Sequence, residues 1–256
     1  MPRVAVDTES RAEGRVATVT IENAVKANCL TSGLVGELET VFRDLANDDD
    51  LRLAVLTGEG ERSFIAGANL QELRGFDAKS GRAYITGLQN ANQAIRELPV
   101  PVIARINGAC MGAGLEVAAS CDIRIASDNA RFAMPEVLFD LPSVVEAALF
   151  PRLIGWGRTC WLLYRGDAVD ATTALTWGLV EQCVPQADLD AAVGETVDRI
   201  MANGPVGIRL QKKLMRDWER LSLDDGVHAG IQSLSDAFRD GEPGPRMADF
   251  LDGGKG

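Results

Sequence analysis

Short apolar runs alternate with segments of helical period through about the first 185 residues, and only the helical period continues after them. Ala17, Val19 and Ile21 share one face of an alternating stretch, which predicts a strand from Val16 to Ile21. Leu34, Leu38, Val41 and Leu45 recur at helical spacing behind Thr31-Ser32, which can cap the helix they form. "LRLAVLTGEG" reads as a short buried strand closed by a glycine turn, and "SFIAGANL" as a tight turn after it. Ile85, Leu88, Ile95 and Leu98 predict a second helix, stopped by Pro99 and Pro101. "VIARI" is the next buried strand and runs into "GACMGAGLEVAASCD", where Gly114 to Ser120 predict a helix of small residues. "DIRIA" and "RFA" are short strands. "LPSVVEAAL" opens as a helix with a Ser143/Glu146 capping box. Asp170 caps "ATTALTW", Gly178 ends it, and "LVEQCV" is a further strand. Leu189, Val193, Val197 and Ile200 then begin a helical series that reaches about Phe250, and the glycine-rich end "LDGGKG" is expected to fray.

This order predicts an α/β core over residues 1–195 and a C-terminal helical region over 196–256. The net charge of −11 argues against nucleic acid or an acidic membrane as partner, while backbone donors can still hold a small anion. The five cysteines form no CxxC, and with one histidine, His228, no Cys/His zinc pattern can be written, so no metal is expected. Scattered thiols point to a reducing compartment. The start lacks an apolar leader and no run approaches a membrane span, so a cytoplasmic location is expected. His228 and the tryptophans Trp156, Trp161, Trp177 and Trp218 read as structural or interface residues, and Lys212 and Lys213 as a solvated helix face.

Three segments carry candidate chemistry. In "SFIAGANL", Gly67 between alanines can leave backbone N–H groups pointing into a cleft, or can serve as a plain strand-to-helix turn. In "NGACMGAGLE" a glycine-rich turn opens a helix whose first N–H groups lack partners and carry partial positive charge. Such a turn can donate to a developing oxyanion, or can serve close helix–sheet packing. Glu116 lies among apolar and small residues, either at an exposed helix edge or held in a cavity. Glu136 in "FAMPEVLF" poses the same choice. Taken together, two donor turns and two carboxylates 20 residues apart suit acyl-thioester chemistry through an enolate.

At this point the chain resembles the enoyl-CoA hydratase/isomerase family, the crotonase superfamily. The resemblance runs from about Val16 to Val184 through "NAVKANCL", "LTGEGERSFIAGANLQEL", "INGACMGAGLEVAASCDIRIAS", "FAMPEVLF", "FPRLIG" and "ALTWGLVEQCV". It implies a spiral core of ββα units and C-terminal helices that pack as a homotrimer or homohexamer. It further implies an oxyanion hole from the backbone N–H groups of Ala68 and Ala113, and catalytic roles for Glu116 and Glu136. Asn69, Leu70 and Gln71 would line the acyl-CoA channel, and Lys26 lies in the segment that meets the CoA nucleotide. No cofactor is implied, coenzyme A being part of the substrate.

The implied reaction is reversible hydration of a 2-enoyl-CoA. The alternatives are a Δ3,Δ2-enoyl-CoA isomerase, which commonly needs only the Glu136 position, a hydratase specialised for acryloyl-type esters, and a non-catalytic acyl-CoA-binding homologue. The chain departs from the family pattern at Asn69, where aspartate is usual, and at Ala113, where glycine is commoner. It also departs at "DLPSVVEAAL", where many hydratases carry a glycine-rich loop. There Ser143, Val144 and Val145 would reshape the acyl end of the site.

Overall fold

The chain folds in strand–strand–helix units, and after the first of them the two strands of a unit join different sheets. The computed structural model describes residues 1–241 and 243–253. In chain order its first elements are β1 (Arg3–Arg11), β2 (Gly14–Glu22), α1 (Ser32–Leu45), β3 (Leu51–Gly58), β4 (Ser63–Ile65), α2 (Leu70–Leu73) and α3 (Ala78–Glu97). Then come β5 (Val102–Ile106), β6 (Ala109–Met111), α4 (Ala113–Ser120), β7 (Ile123–Ser127), β8 (Arg131–Ala133), α5 (Phe150–Ile154) and α6 (Trp156–Arg165). The remainder is β9 (Val169–Asp170), α7 (Ala171–Trp177), β10 (Gln182–Val184), α8 (Leu189–Met201), α9 (Pro205–Trp218), α10 (Leu223–Asp240) and α11 (Pro243–Leu251). Single 3₁₀ turns at Pro135–Phe139 and Val145–Leu149 link β8 to α5.

One sheet has the order β1-β2-β3-β5-β7-β10, the other β4-β6-β8-β9. Consecutive pairs such as β3/β4, β5/β6 and β7/β8 each place a strand in both, which generates a spiral. Among the described residues β1/β2 and β8/β9 pair antiparallel and the other strand pairs are parallel. β3 is buried at every position, as its unbroken apolar run requires of a central strand in a mainly parallel sheet. Phe42, Phe64, Phe132 and Phe150 fill the core between the sheets and the helices. On the opposite face of the larger sheet, Leu189, Val193, Val197 and Met201 of α8 cover Val16, Leu53, Val55, Ile103 and Ile125. Among the described residues no helix is long and apolar enough to cross a membrane.

Most predicted caps are present. Thr31 Oγ1 accepts from the Leu34 N–H at 3.2 Å, Asp170 accepts from the Thr173 N–H at 2.8 Å, and Gly178 ends α7 in the left-handed region. Four readings are corrected. β1 is an additional edge strand, whose Val6 faces solvent, so its alternation carries no buried stripe. "SFI" and "ACM" are strands of the second sheet, too short for a period to register. The Ser143/Glu146 capping box does not form: Ser143 turns to Glu136 and Glu146 to Asn92, and the segment is a 3₁₀ turn. Lys212 is buried, donating to Val100 O at 2.7 Å and to Asp122 Oδ2 at 2.8 Å, while Lys213 stays solvated. Of the end expected to fray, Gly254–Gly256 lie outside the described residues.

Candidate active site

Two buried asparagines bring the donor turns together. Asn28, in the left-handed region, donates to Ser63 O at 2.9 Å and Glu59 O at 3.0 Å. Asn107 donates to Gly58 O at 2.8 Å and also reaches Gly60 O, so the β5–β6 turn is tied to the β3–β4 turn. A Cβ on Gly108 would collide with Arg62 O, which shows how closely these turns approach. Beyond them Gly67, at φ +93°, would place a Cβ 3.3 Å from Met111 O. The segments ending in Ala68 and Ala113 therefore run side by side.

Ala68 pairs with Leu30 as a parallel bridge, in which the Leu30 N–H donates to Gly67 O and the Asn69 N–H to Leu30 O. Those bonds use the groups that flank Ala68, so its own N–H points away from Leu30. Ala113 is the first residue of α4, and its N–H has no acceptor within the helix. Gly112 precedes it at φ 49°, ψ −122°.

Glu116 lies in the first turn of α4 and is 3% exposed. Every residue of that helix is buried. Burial, then the nearby Glu136 and Glu146 carboxylates, push the Glu116 carboxyl up to about 8; the backbone amides of Val144 and Ala147 oppose the shift. Its Oε1 is buried without a hydrogen-bond partner.

Glu136 reaches the same place from the Pro135–Phe139 turn. A Cβ on Gly112 would strike Glu136 Oε1, so this carboxylate rests against the backbone at the α4 N-terminus, where the helix dipole favours negative charge. The Ser143 hydroxyl donates to Glu136 Oε2 at 2.9 Å. Burial raises the Glu136 carboxyl, and the Ser143 bond works against that. The structure thus brings Glu116 and Glu136 together with the Ala68 and Ala113 turns.

The other predicted residues sit at the margin. Asn69 Oδ1 caps α2, accepting from the N–H groups of Gln71 at 3.0 Å and Glu72 at 3.3 Å. Leu70 and Gln71 are exposed on that first turn. Lys26 is exposed on the Ala24–Lys26 turn, next to which the Ala66 N–H donates to Ala27 O. Sequence reading missed Asn28, Asn92 and Asn107, and it placed Glu146 in a cap. Asn107, directly after the apolar strand "VIARI", carried the available signal, since such groups are buried only with partners. Among the described residues no cluster of three His, Cys, Asp or Glu side chains is placed to hold a metal ion.

The raised Glu116 carboxyl has a consequence for stability. The unfolded chain releases this proton near 4.5 and the folded chain near 8. The folded state therefore holds the extra proton between those values, and stability falls as pH rises through the window, by up to about 5 kcal/mol. Glu116→Gln removes this dependence. Calorimetry from pH 4.5 to 9 is expected to show the variant's melting temperature gaining steadily on the wild type up to about pH 8. A difference that stays constant with pH would contradict the burial of an ionisable group here.

A spiral of ββα units carrying a buried acid and a half-buried one beside two adjoining backbone turns defines a protein of the crotonase fold. A sequence model of the enoyl-CoA hydratase/isomerase family matches residues 11–251, and the chain belongs to that family. It is 34% identical to a short-chain-enoyl-CoA hydratase of Clostridium acetobutylicum, over 94% of this chain and 92% of the relative. A crotonyl-CoA hydratase of Syntrophomonas wolfei is 29% identical over 94% of this chain and 93% of its own. The crystal structure of an enoyl-CoA hydratase from Bacillus anthracis superposes with a TM-score of 0.92 at 30% identity, covering 97% of this chain and 96% of that one.

Proposed function

We propose that this chain is an enoyl-CoA hydratase that adds water reversibly across the 2,3 double bond of a short 2-enoyl-CoA. The observation that carries the reading is the convergence of Glu116 and Glu136 on the α4 N-terminus, with Glu116 Oε1 left without a partner. A water between the two acids would satisfy that oxygen. An isomerase needs one acid to carry a proton between carbons; a second acid at the same site favours hydration.

In this mechanism the Ala68 and Ala113 N–H groups donate to the thioester oxygen. Water oxygen bonds to C3, and the π electrons pass through C2 to that oxygen, giving an enolate that the two amides and the α4 dipole stabilise. The ionised member of the acid pair takes the water proton. The enolate then collapses and C2 takes a proton from the protonated member. The raised Glu116 carboxyl supports a resting site with the pair's proton on that residue.

Leu70 and Gln71 would line the mouth of the acyl-CoA channel, Asn69 would hold their turn, and Lys26 would face a phosphate of the nucleotide. Val144 and Val145 would limit the acyl end to short chains. The relatives named above, a short-chain-enoyl-CoA hydratase and a crotonyl-CoA hydratase, fit this size. Buried free thiols at Cys110 and Cys121 fit a reducing cytoplasm. On α10, Leu223, Val227, Ile231, Leu234 and Phe238 are all more than half exposed along one stripe, which supports a homotrimer or homohexamer; light scattering separates the two masses.

The test is to add purified protein to crotonyl-CoA and follow the absorbance of the conjugated thioester. Loss of absorbance to an equilibrium, with 3-hydroxybutyryl-CoA formed, is expected. No loss with any 2-enoyl-CoA from four to sixteen carbons would overturn the reading.

A further inference from the structure

A third acid adjoins the pair, and the mechanism above gives it no task. Glu146 is 9% exposed and stands in the Val145–Leu149 turn. Its Oε2 accepts from Asn92 Nδ2 at 2.5 Å, and Asn92 itself is wholly buried on α3. Arg96, one turn further along α3, and Arg216 of α9 lend Glu146 positive charge. Both arginines are also bound by Glu219, at 2.6 and 2.8 Å, so that charge is shared. The backbone amides of Val144, two residues before Glu146, and of Ala147, next after it, act to lower the Glu116 carboxyl. Val145 between them has φ +37°, an unfavourable conformation for a β-branched residue, and the chain bends there into the interior.

We propose, resting on the hydratase reading, that Glu146 is a positioning residue: gripped by Asn92, it keeps the proton of the acid pair on Glu116. Two buried carboxyl groups and a half-buried third do not all ionise together, and the proton goes to the one whose charged form is least supported. Glu146 has the Asn92 amide and two arginines behind it. Glu136 has the Ser143 hydroxyl and the α4 N-terminus. Glu116 has only the Val144 and Ala147 backbone amides, and its Oε1 is buried without a partner. The ionisable groups acting on Glu116 from neighbouring elements are Glu136, Glu146 and the Tyr84 phenol of α3, which donates to Leu30 O and adds no positive charge. Glu146 therefore acts through Glu116 and touches no reacting atom.

Infrared spectroscopy of the substrate-free protein tests this. The protonated-carboxyl band of Glu116 is identified by its disappearance in Glu116→Gln and followed as pH rises. In Glu146→Gln the band is expected to vanish about one pH unit lower than in the wild type. Asn92→Ala, which strips Glu146 of its donor and leaves it to take up the proton itself, is expected to move the band the same way. With crotonyl-CoA the alkaline limb of kcat moves by the same amount while KM changes less than about twofold. A band that stays within about 0.2 pH unit of the wild type in a folded variant overturns the proposal. Because the band is read without substrate, a wild type that fails to hydrate and a band that fails to move are separate results.

Discussion

Replacing either Glu116 or Glu136 by glutamine is expected to lower kcat for crotonyl-CoA hydration by about 10²–10⁴-fold. Glutamine keeps the shape of each side chain but can neither take a proton from water nor give one to carbon. The two acids act as one unit, so the double variant is expected to be little slower than the worse single variant. Binding of a saturated acyl-CoA, read by calorimetry, is expected to change little, since the amides that grip the thioester are main-chain groups. A large loss in Glu136→Gln alone would point to double-bond isomerisation. Unchanged kcat in both variants would remove the chemical assignment altogether.

The second large effect concerns Gly114. A Cβ there would collide with Ile65 O, a backbone atom of β4 that cannot turn aside. Gly114→Ala must push α4 off the second sheet, and a loss of about 3 kcal/mol is expected, or roughly 6–12 °C in melting temperature. Gly81→Ala supplies the contrast: this glycine lies within α3 with open space around it, and the substitution is expected to stabilise by about 0.5–1 kcal/mol. Equal melting temperatures for the two variants would contradict the close packing of α4 on β4. Activity in Gly114→Ala falls with the fold, because the same displacement carries the Ala113 N–H and Glu116 with it.

The long periodic elements could be read from the residues. α1 and α3 show their buried stripes in plain sequence, α1 with its N-terminal cap and α3 with the prolines that stop it, and β3 and β5 are short buried runs of strand length. Glu116 and Glu136 stood out because each is an acid in an apolar frame. Segments that depend on distant partners could not be read in this way. β4 and β6 are three residues long and become strands by pairing within the second sheet, β4 with β6 and β6 also with β8. Ser143 and Glu146 have the spacing of a capping box, but local capping lost to bonds with Glu136 and Asn92, residues 7 and 54 positions away. Lys212 looked like part of a charged surface until Asp122 and Val100, some 90 and 112 residues earlier, supplied its partners.

α4 has no solvent face, and it is pinned at Gly112 and Gly114 as well. A helix enclosed on all sides offers almost no position where a change of residue is tolerated. By contrast Val137, Leu138, Phe139 and Leu141, on the approach to Ser143, are all exposed by more than a third. Laboratory evolution toward bulkier or more polar esters has little room in the helix that holds Glu116. Its productive mutations should accumulate in the outer loop between Val137 and Val145, leaving the proton-handling centre untouched while the range of accepted acyl groups drifts.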